Sequence, residues 1–417
     1  MSLTSCQESA ANTFMQFLVD PTQTEMILKG SPGRGKTFLL KHLLAQLPKD
    51  MQMIKILGGD ALEEHHLTAF TNKAADVATS STGFSTGTIH SLIGLRVFDD
   101  FKTGKRRLIR AKDSQPIENA LIIIDEAFML DVKIEKFLKE SIRNCKILYV
   151  GDPDQLGPVV EAGVDPVCPL INADYLTAVL ETPVRYGGAI ATLCDQTRDF
   201  VRTGVFSDLI VDGKDVRYID DTEIQQIIAD NFKLHDDPNK MKICCYTNRK
   251  TKLFNNYVRE SHGLPVEFVE GDVVVNNGLV KVGKKSIPNE SVHIIKAISK
   301  GHEIMDIPAN LVTLGNNHSV PVAVNQADVA QAIKAAQSSG NYARKIALQN
   351  TFADLRATSA CTVHKAQGST YETVIVDLED IGSCHDADTF ARLINTACSR
   401  ASKQILLYGE LPARYRG

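Results

Sequence analysis

Eight consecutive residues limit more strongly than any other stretch what this chain can fold into. Residues 30–37 read Gly-Ser-Pro-Gly-Arg-Gly-Lys-Thr and match the pattern GxxxxGK[ST] in full. They come directly after the apolar run EMILK and directly before the leucine-rich stretch of residues 38–47. A glycine-rich loop between a strand and a helix lets backbone N–H groups surround phosphate oxygens. The chain is therefore predicted to contain an α/β domain that binds ATP or GTP.

The residue types in this loop suit phosphate binding. Glycines allow the backbone to approach the phosphates without a Cβ clash. Lys36 would supply a cation to the β- and γ-phosphates, and Thr37 a hydroxyl to Mg²⁺. The alternative is a glycine-rich turn without a nucleotide, which the strand–loop–helix setting disfavours. The predicted nucleotide-binding residues of the loop are Gly30, Ser31, Pro32, Gly33, Arg34, Gly35, Lys36 and Thr37.

An acidic pair follows a second apolar run, LIIIDEA, at Asp125 and Glu126. In a parallel sheet the end of this strand would lie beside the phosphate loop. Asp125 would hold the Mg²⁺ ion together with Thr37, and Glu126 would polarise the attacking water. Taken alone, such a pair is more often a solvated strand end. Its combination with the upstream phosphate loop favours the catalytic interpretation.

Apolar strand-like runs alternate with helical stretches in two parts of the chain, which predicts an α/β fold with parallel sheets and flanking helices. The first domain is predicted over residues 1–183, with a small hairpin-like insertion at 91–116. The second is predicted over residues 184–262 and 353–417. A β-rich, barrel-like domain at 263–352 is predicted to interrupt it.

Composition narrows the protein class. The 417 residues include 46 Lys and Arg against 50 Asp and Glu, so a polyanion would have to bind in a local groove. The nine cysteines form no CxxC pair and no metal-ligand spacing, so they are expected to be reduced, as in the cytoplasm. The first residues lack the pattern of a secretion signal, and no apolar run is long enough to span a membrane.

Nine further features occur in a fixed order along nearly the whole chain. They are Gln7 and the segments AFTNKAA (69–75), GTIHS (87–91), DEA (125–127), GDPDQLGPV (151–159), PVRY (183–186), YTN (246–248), TVHKAQGST (362–370) and CSRA (398–401). The ordered set resembles the superfamily 1 DNA helicases of the group that includes the phage helicase Dda and the RecD-type enzymes. The resemblance implies two RecA-like motor domains, ATP and Mg²⁺ as cofactors, and movement from 5′ to 3′ on DNA.

The same resemblance implies roles for residues outside the phosphate loop. Gln7 would read the adenine, as its carboxamide can both donate and accept. Gln155 would contact the γ-phosphate or its water, and Gly368 would lie at the nucleotide. Arg185 and Arg400 would act as arginine fingers from the second domain. The implied catalytic residues are Lys36, Asp125, Glu126, Gln155, Arg185 and Arg400.

Polar residues of other motifs are expected to bind the DNA strand. Hydroxyl and amide groups suit phosphate and sugar contacts that are made and broken at each step. The residues implied by the resemblance are Thr71, Asn72, Thr88, His90, Thr247, Asn248, Thr362 and His364, with Lys365 and Gln367 coupling the strand to the nucleotide. Phe98 and Phe101 of the 91–116 insertion could form a pin that separates base pairs; the alternative is a local hydrophobic cluster.

Three positions depart from the family pattern. Asn395 stands where an aromatic residue is frequent, five residues before Arg400, and Gly157 replaces a common proline. Arg34 stands where the phosphate loop usually has a threonine. These departures concern base stacking and loop stiffness more than phosphate chemistry.

The resulting prediction is an ATP-dependent helicase that moves along single-stranded DNA and unwinds forked duplexes, for phage or cellular DNA replication, recombination or repair. It is expected to act as a monomer in the cytoplasm, with replication or single-strand-binding proteins as further partners. The alternatives are a translocase or nucleotide-dependent DNA clamp that does not unwind, and another P-loop enzyme such as a nucleotide kinase. The last would leave TVHKAQG and GDPDQLGPV unexplained.

Overall fold

The computed structural model describes residues 2–59, 61–158, 168–184, 187–233, 236–282 and 285–416. Its strands are β1 (Glu25–Gly30), β2 (Glu64–Ala69), β3 (Thr86–Thr88), β4 (Leu95–Asp100), β5 (Lys105–Arg110), β6 (Ile117–Glu118), β7 (Ala120–Ile124), β8 (Ile142–Arg143), β9 (Lys146–Gly151), β10 (Leu176–Leu180), β11 (Val216–Ile219), β12 (Met241–Cys245), β13 (Val273–Asn276), β14 (Val280–Val282), β15 (Lys285–Ile287), β16 (Val292–Ile304), β17 (Ile307–Leu314), β18 (Ser319–Ala323), β19 (Leu355–Ala357), β20 (Ala360–Thr362), β21 (Tyr371–Asp377) and β22 (Ala401–Tyr408).

The α-helices connect these strands. They are α1 (Ser5–Val19), α2 (Lys36–Ile56), α3 (Asn72–Thr82), α4 (Ile89–Leu92), α5 (Val132–Ser141), α6 (Gly188–Thr203), α7 (Asp221–Asp230), α8 (Asn248–Ser261), α9 (Gln326–Ser338), α10 (Tyr342–Thr351), α11 (Val363–Ala366), α12 (Leu378–Gly382) and α13 (Ala387–Cys398).

Six strands form the first sheet, in the order β10-β1-β9-β7-β2-β3, and every pairing in it is parallel. The strands β7 and β9 are buried along their whole length, as expected for a parallel sheet with helices on both faces. The chain around this sheet is called the first unit. All six strands end at one edge, so the phosphate loop after β1 and the acidic pair after β7 lie close together.

Five strands form the second sheet, in the order β11-β22-β21-β12-β20, again all parallel. The chain around this sheet, from α6 to α8 and from β20 onward, is called the second unit. The two parallel sheets confirm the predicted α/β class. The amphipathic helix α13 packs one face into the core of this unit, where Phe390, Leu393 and Ile394 are fully buried.

A third sheet, antiparallel and in the order β18-β17-β16-β13-β19, forms the inserted unit together with the paired strands β14 and β15 and the helices α9 and α10. Two register shifts in β16 bend the sheet. No pairing between described residues joins β18 to β19, so these strands form an open row. The division of the chain into domains stays a prediction, and β19 at Leu355–Ala357 belongs to this third sheet although it follows the predicted boundary at 352.

The predicted insertion in the first unit is an antiparallel hairpin of β4 and β5, called the 95–110 hairpin. It reaches the inserted unit through the buried Asp99. Lys281 and Asn350 contact one oxygen of this carboxylate at 3.1 and 3.0 Å. The Nε of Arg106 contacts the other oxygen at 3.0 Å. The hairpin is therefore fixed to a part of the chain more than 180 residues away.

All nine cysteines are free thiols, as the sequence predicts. Seven of them are buried. Among the described residues, no helix is both long and apolar enough to cross a membrane.

Candidate nucleotide and nucleic-acid sites

A cavity of about 400 Å³ lies between the first and second units. Its wall combines the phosphate loop, the acidic pair and loops of the second unit. Twelve of the predicted site residues line it: Gln7, Ser31, Pro32, Gly33, Gly35, Lys36, Thr37, Asp125, Glu126, Gln155, Gly368 and Arg400. Residues separated by almost 400 positions thus meet at one place.

The phosphate loop has the backbone that its glycines permit. Gly33 and Gly35 have φ angles of +77° and +80°, in the left-handed region that disfavours side chains. A Cβ on Gly35 would lie 2.5 Å from Nε2 of Gln7 and 2.8 Å from Cγ2 of Val184. The Lys36 ammonium donates to the Gly30 carbonyl at 2.6 Å, so it already lies within the loop. Gly35 is thus required for two reasons, its backbone conformation and its close neighbours.

Gln7 is buried beside this loop and is fixed at both ends of its amide. Its Oε1 accepts from the backbone N–H of Thr4 at 3.0 Å, as part of a capping box at the start of α1. Its Nε2 lies 3.4 Å from the Gly35 carbonyl. Helix capping therefore places the carboxamide at the nucleotide cavity, where the adenine-reading role was predicted.

The acidic pair is electrostatically costly without a cation. Burial, and next the negative charge of Glu126, raise the pKa of Asp125 to about 6, although Lys36 opposes this shift. Glu126 has a φ of +53°, a conformation that a non-glycine residue seldom adopts. Two crowded carboxylates and the Thr37 hydroxyl are oxygen ligands of the kind Mg²⁺ prefers.

Gln155 and Arg400 connect the two units across the cavity. Both side chains are buried, and the Arg400 Nη2 donates to the Gln155 Oε1 at 3.1 Å. Two carbonyls of the second unit hold the same guanidinium, with Nε 3.0 Å from the Thr396 oxygen and Nη1 3.3 Å from the Ser369 oxygen. Arg400 immediately precedes β22, so the amino edge of the second sheet faces the nucleotide cavity.

Two predicted nucleotide-site residues, Arg34 and Gly30, do not join this cavity wall. The Arg34 guanidinium turns away from it and contacts the Asp195 carboxylate at 2.9 Å and the Glu181 carbonyl. Gly30 lies behind the loop, where its carbonyl binds Lys36. Arg185, the other predicted arginine finger, lies outside the described residues.

The predicted DNA residues of the first unit follow β2 and β3 at the carboxyl edge of the sheet. The hydroxyls of Thr71 and Thr88 cap α3 and α4, each accepting from a backbone N–H three residues on. Asn72 begins α3. His90 packs edge-on to Phe70, and burial lowers its pKa below the usual value. Neutral and hydrogen-bonding groups thus lie together at this edge.

The corresponding residues of the second unit follow β12 and β20. Thr247 caps α8, and its hydroxyl also donates to the Asp380 carboxylate at 2.7 Å. The Asn248 Oδ1 accepts from Arg356 at 2.6 Å. Thr362 precedes α11, and His364 in that helix has a pKa lowered by burial. The Thr247 and Asn248 side chains therefore already have partners within the protein, and the DNA-binding role of these residues stays a prediction.

The two phenylalanines of the 95–110 hairpin are among the exposed large apolar residues. Phe98 is 50% exposed and Phe101 is 60% exposed. Asp99, between them, is buried against the inserted unit. Since neighbouring strand residues point to opposite faces, Phe98 lies on the face turned away from that contact.

Sequence reasoning missed the cations that surround the loop 152–156, which follows β9. Arg202 makes two contacts with the Asp154 carboxylate, at 3.0 and 2.8 Å, and the Arg198 Nε lies 3.7 Å from it. The signal was the spacing of these two arginines by four positions, which puts them on one face of α6. Arg392 of α13 contacts the same loop, three residues before Asn395.

Two family models match the chain. The model described as an AAA domain covers residues 18–161, and that of the UvrD-like helicase C-terminal domain covers residues 358–408. These ranges contain the phosphate loop and Arg400, respectively.

Curated relatives match to different extents. The uncharacterized protein R530 of Acanthamoeba polyphaga mimivirus is 21% identical, over 96% of this chain and 98% of that protein. The ATP-dependent DNA helicase Pif1 of Campylobacter jejuni is 32% identical over 33% of this chain and 29% of that protein. The RecBCD enzyme subunit RecD of Buchnera aphidicola is 28% identical over 35% of this chain and 25% of that subunit.

Solved structures share the fold over the whole chain. A structure of two Pif1 helicases at forked double-stranded DNA has a TM-score of 0.56 and 16% identity, covering 100% of this chain and 94% of that one. A Bacteroides Pif1 structure with ADP-AlF3 and single-stranded DNA has a TM-score of 0.52 and 15% identity, with the same coverage.

Proposed function

We propose that the chain is a superfamily 1 helicase of the group that includes Pif1, RecD and Dda. In this proposal it hydrolyses ATP to move 5′ to 3′ along single-stranded DNA and to unwind forked duplexes. The single observation that carries the proposal is the cavity that joins the phosphate loop and acidic pair of the first unit to Arg400 of the second. A nucleotide bound there would contact both units.

We propose that the phosphate loop, Lys36 and Gln7 bind ATP. Backbone N–H groups of the loop and the start of α2 would surround the phosphates. Thr37 and Asp125 would hold Mg²⁺, which supplies positive charge to the phosphate oxygens. The raised pKa of Asp125 supports this assignment, because a cation beside two crowded carboxylates would relieve their repulsion.

In the proposed reaction Glu126 polarises the attacking water, and Lys36 and Arg400 stabilise the charge that develops on the transferred phosphoryl group. Gln155 would place the water or contact the γ-phosphate. Its existing contact with Arg400 supports a mechanism in which closure of the cleft completes the site. Release of the products would then let the units separate.

The strand would bind at the helix starts that follow β2, β3, β12 and β20. The capping threonines and the backbone N–H groups of α3 and α8 at these positions suit phosphate contacts. Alternating grip by the two units would move the protein along the strand. The proposal includes a monomer in the cytoplasm, a phage or cellular origin, and a role in DNA replication, recombination or repair.

Duplexes with a single-stranded tail test this proposal. We expect a duplex with only a 5′ tail to be unwound and one with only a 3′ tail to persist, with single-stranded DNA stimulating hydrolysis. Unwinding from the 3′ tail alone would contradict the proposed polarity. Stimulated hydrolysis without unwinding would favour the alternative function, a translocase or nucleotide-dependent clamp. A rate of hydrolysis that single-stranded DNA does not change would contradict both the helicase and the alternative function.

Replacement of Phe98 by alanine should lower the rate of fork unwinding about tenfold, since stacking on an aromatic ring contributes on the order of 1–3 kcal/mol per base. Hydrolysis stimulated by unpaired single-stranded DNA should change less than twofold. Stopped-flow unwinding and steady-state hydrolysis measure the two effects. Val97→Ala, on the other face of the same strand, is the matched control and should unwind normally. Equal unwinding by both variants would contradict the pin assignment.

A further inference from the structure

The 152–156 loop of the first unit is held mainly by side chains of the second. The Arg392 Nη1 donates to the Pro153 carbonyl at 2.8 Å and to the Gln155 carbonyl at 2.9 Å. Between them, the Asn395 Nδ2 donates to the Asp154 carbonyl at 2.9 Å. Three consecutive carbonyls of one unit therefore accept hydrogen bonds from two residues of the other.

The contacts continue at both ends of this loop. The Gln367 Nε2 donates to the Leu156 carbonyl at 3.2 Å, and Arg202 makes its two contacts with the Asp154 carboxylate. Within the described part of the first unit, by contrast, the Gln155 side chain contacts Asp152, whose Oδ2 lies 3.3 Å from its Nε2. The orientation of Gln155 thus depends on the second unit.

The two residues on α13 are themselves firmly placed. Asn395 is fully buried, and its Oδ1 accepts from the Thr197 hydroxyl at 3.4 Å. The Arg392 Nε contacts the exposed Asp388 carboxylate at 2.8 Å, which leaves Nη1 for the loop. A spacing of three places Arg392 and Asn395 on the same face of the helix, toward the loop.

We propose that Arg392 and Asn395 are positioning residues that set Gln155 in place when the two units are closed. They touch the backbone of the loop, while Gln155 is the residue proposed to act at the γ-phosphate. The inference therefore rests on the proposed function. Hydrolysis becomes dependent on closure because the loop takes its active position only against α13.

Hydrogen-bond geometry makes such a device sensitive to small movements. A separation of the units by about 1 Å would lengthen these contacts beyond hydrogen-bonding distance. A catalytic group misplaced by about 1 Å can lower a rate on the order of 100-fold. This role also accounts for asparagine at position 395, where the family frequently has an aromatic residue. An aromatic ring could not donate to the Asp154 carbonyl in this way.

The test compares Arg392→Met and Asn395→Leu with the control Lys403→Ala, which removes an exposed ion pair of β22 and leaves both loop contacts. We expect the kcat of DNA-stimulated hydrolysis to fall about 10- to 100-fold in the two test variants. The KM for ATP and the Kd for a fluorescent ATP analogue should stay within threefold. Lys403→Ala should behave as the unmodified chain, and Arg392→Lys should recover part of the rate.

A double-mutant cycle distinguishes positioning from a general structural role. Once Gln155→Ala has removed the residue to be positioned, Arg392→Met should lower kcat no further. Additive losses, or losses that appear in KM and Kd, would overturn the inference. An active Gln155→Ala variant would overturn the proposed role of Gln155 itself. A slow Gln155→Ala variant beside a normal Arg392→Met variant would overturn only the inference. Melting temperatures verify that each variant is folded.

Discussion

Lys36→Ala is expected to lower ATP hydrolysis by at least about 10³-fold, to the background of the assay. The Lys36 ammonium lies within the phosphate loop and would meet the β- and γ-phosphates of a bound nucleotide. Its loss removes a positive charge from the place where the transition state gains negative charge. Steady-state phosphate release, with and without single-stranded DNA, measures the effect.

The control for this experiment is Lys41→Ala, on an exposed position of the same helix α2. It should leave hydrolysis unchanged, since its side chain lies outside the cavity wall. Unwinding should disappear with hydrolysis in Lys36→Ala, because no energy source remains. Turnover of Lys36→Ala at the rate of the unmodified chain would refute the assignment of the nucleotide site.

Arg400→Ala is expected to bind ATP almost normally and to hydrolyse it about 10³-fold more slowly, as other arginine fingers do when removed. The guanidinium reaches the cavity from the second unit, so its contribution belongs to the closed state. A fluorescent ATP analogue reports the Kd, and single-turnover hydrolysis reports the chemical step. A loss of only twofold would assign Arg400 a purely structural role.

Burial complicates this variant, because Arg400 also donates to two carbonyls and to the Ser399 hydroxyl at 2.9 Å. Leaving buried acceptors without a donor costs about 1–3 kcal/mol of stability. Arg400→Lys keeps a cation in the same place and should be slow but folded, since an ammonium lacks the planar fork of donors. Lys403→Ala, at an exposed position of β22 three residues after Arg400, is the matched control.

Local sequence predicts those parts of the site that lie within one segment. The phosphate loop needs only a strand, eight residues and a helix start, so its structure follows from neighbours in the chain. The place of Asp125 and Glu126 could be predicted in the same way, because a continuous apolar run shows where a buried strand reaches its carboxyl end. The resemblance added Gln155 and Arg400, and the structure places their side chains in contact. Their catalytic roles stay predictions.

Other features depend on pairs of residues that no local pattern connects. Arg34 was assigned to the nucleotide by its place in the loop, yet its side chain pairs with Asp195, 161 positions away. From the sequence, Asn395 is only a departure from the aromatic residue that is frequent at this position in the family. The structure shows that its side chain donates to the Asp154 carbonyl. The sheet to which β19 belongs could not be predicted from the sequence either. Its length and composition are those of any short strand, and only its pairing with β13 assigns it to the third sheet.

The 95–110 hairpin has a mechanical consequence for the ATP cycle. It is covalently part of the first unit, whereas Lys281 and Asn350, which hold its Asp99, belong to the unit inserted in the second. Lys345 of α10 also donates to the Gly104 carbonyl at the hairpin tip, at 2.9 Å. If the distance between the first and second units changes, one of two things must follow. The contacts between the hairpin and the inserted unit break, or the inserted unit moves together with the hairpin. In the proposed ATP cycle the hairpin would act as a strut between two units that move apart, and its stiffness would set how much of each movement reaches the DNA fork.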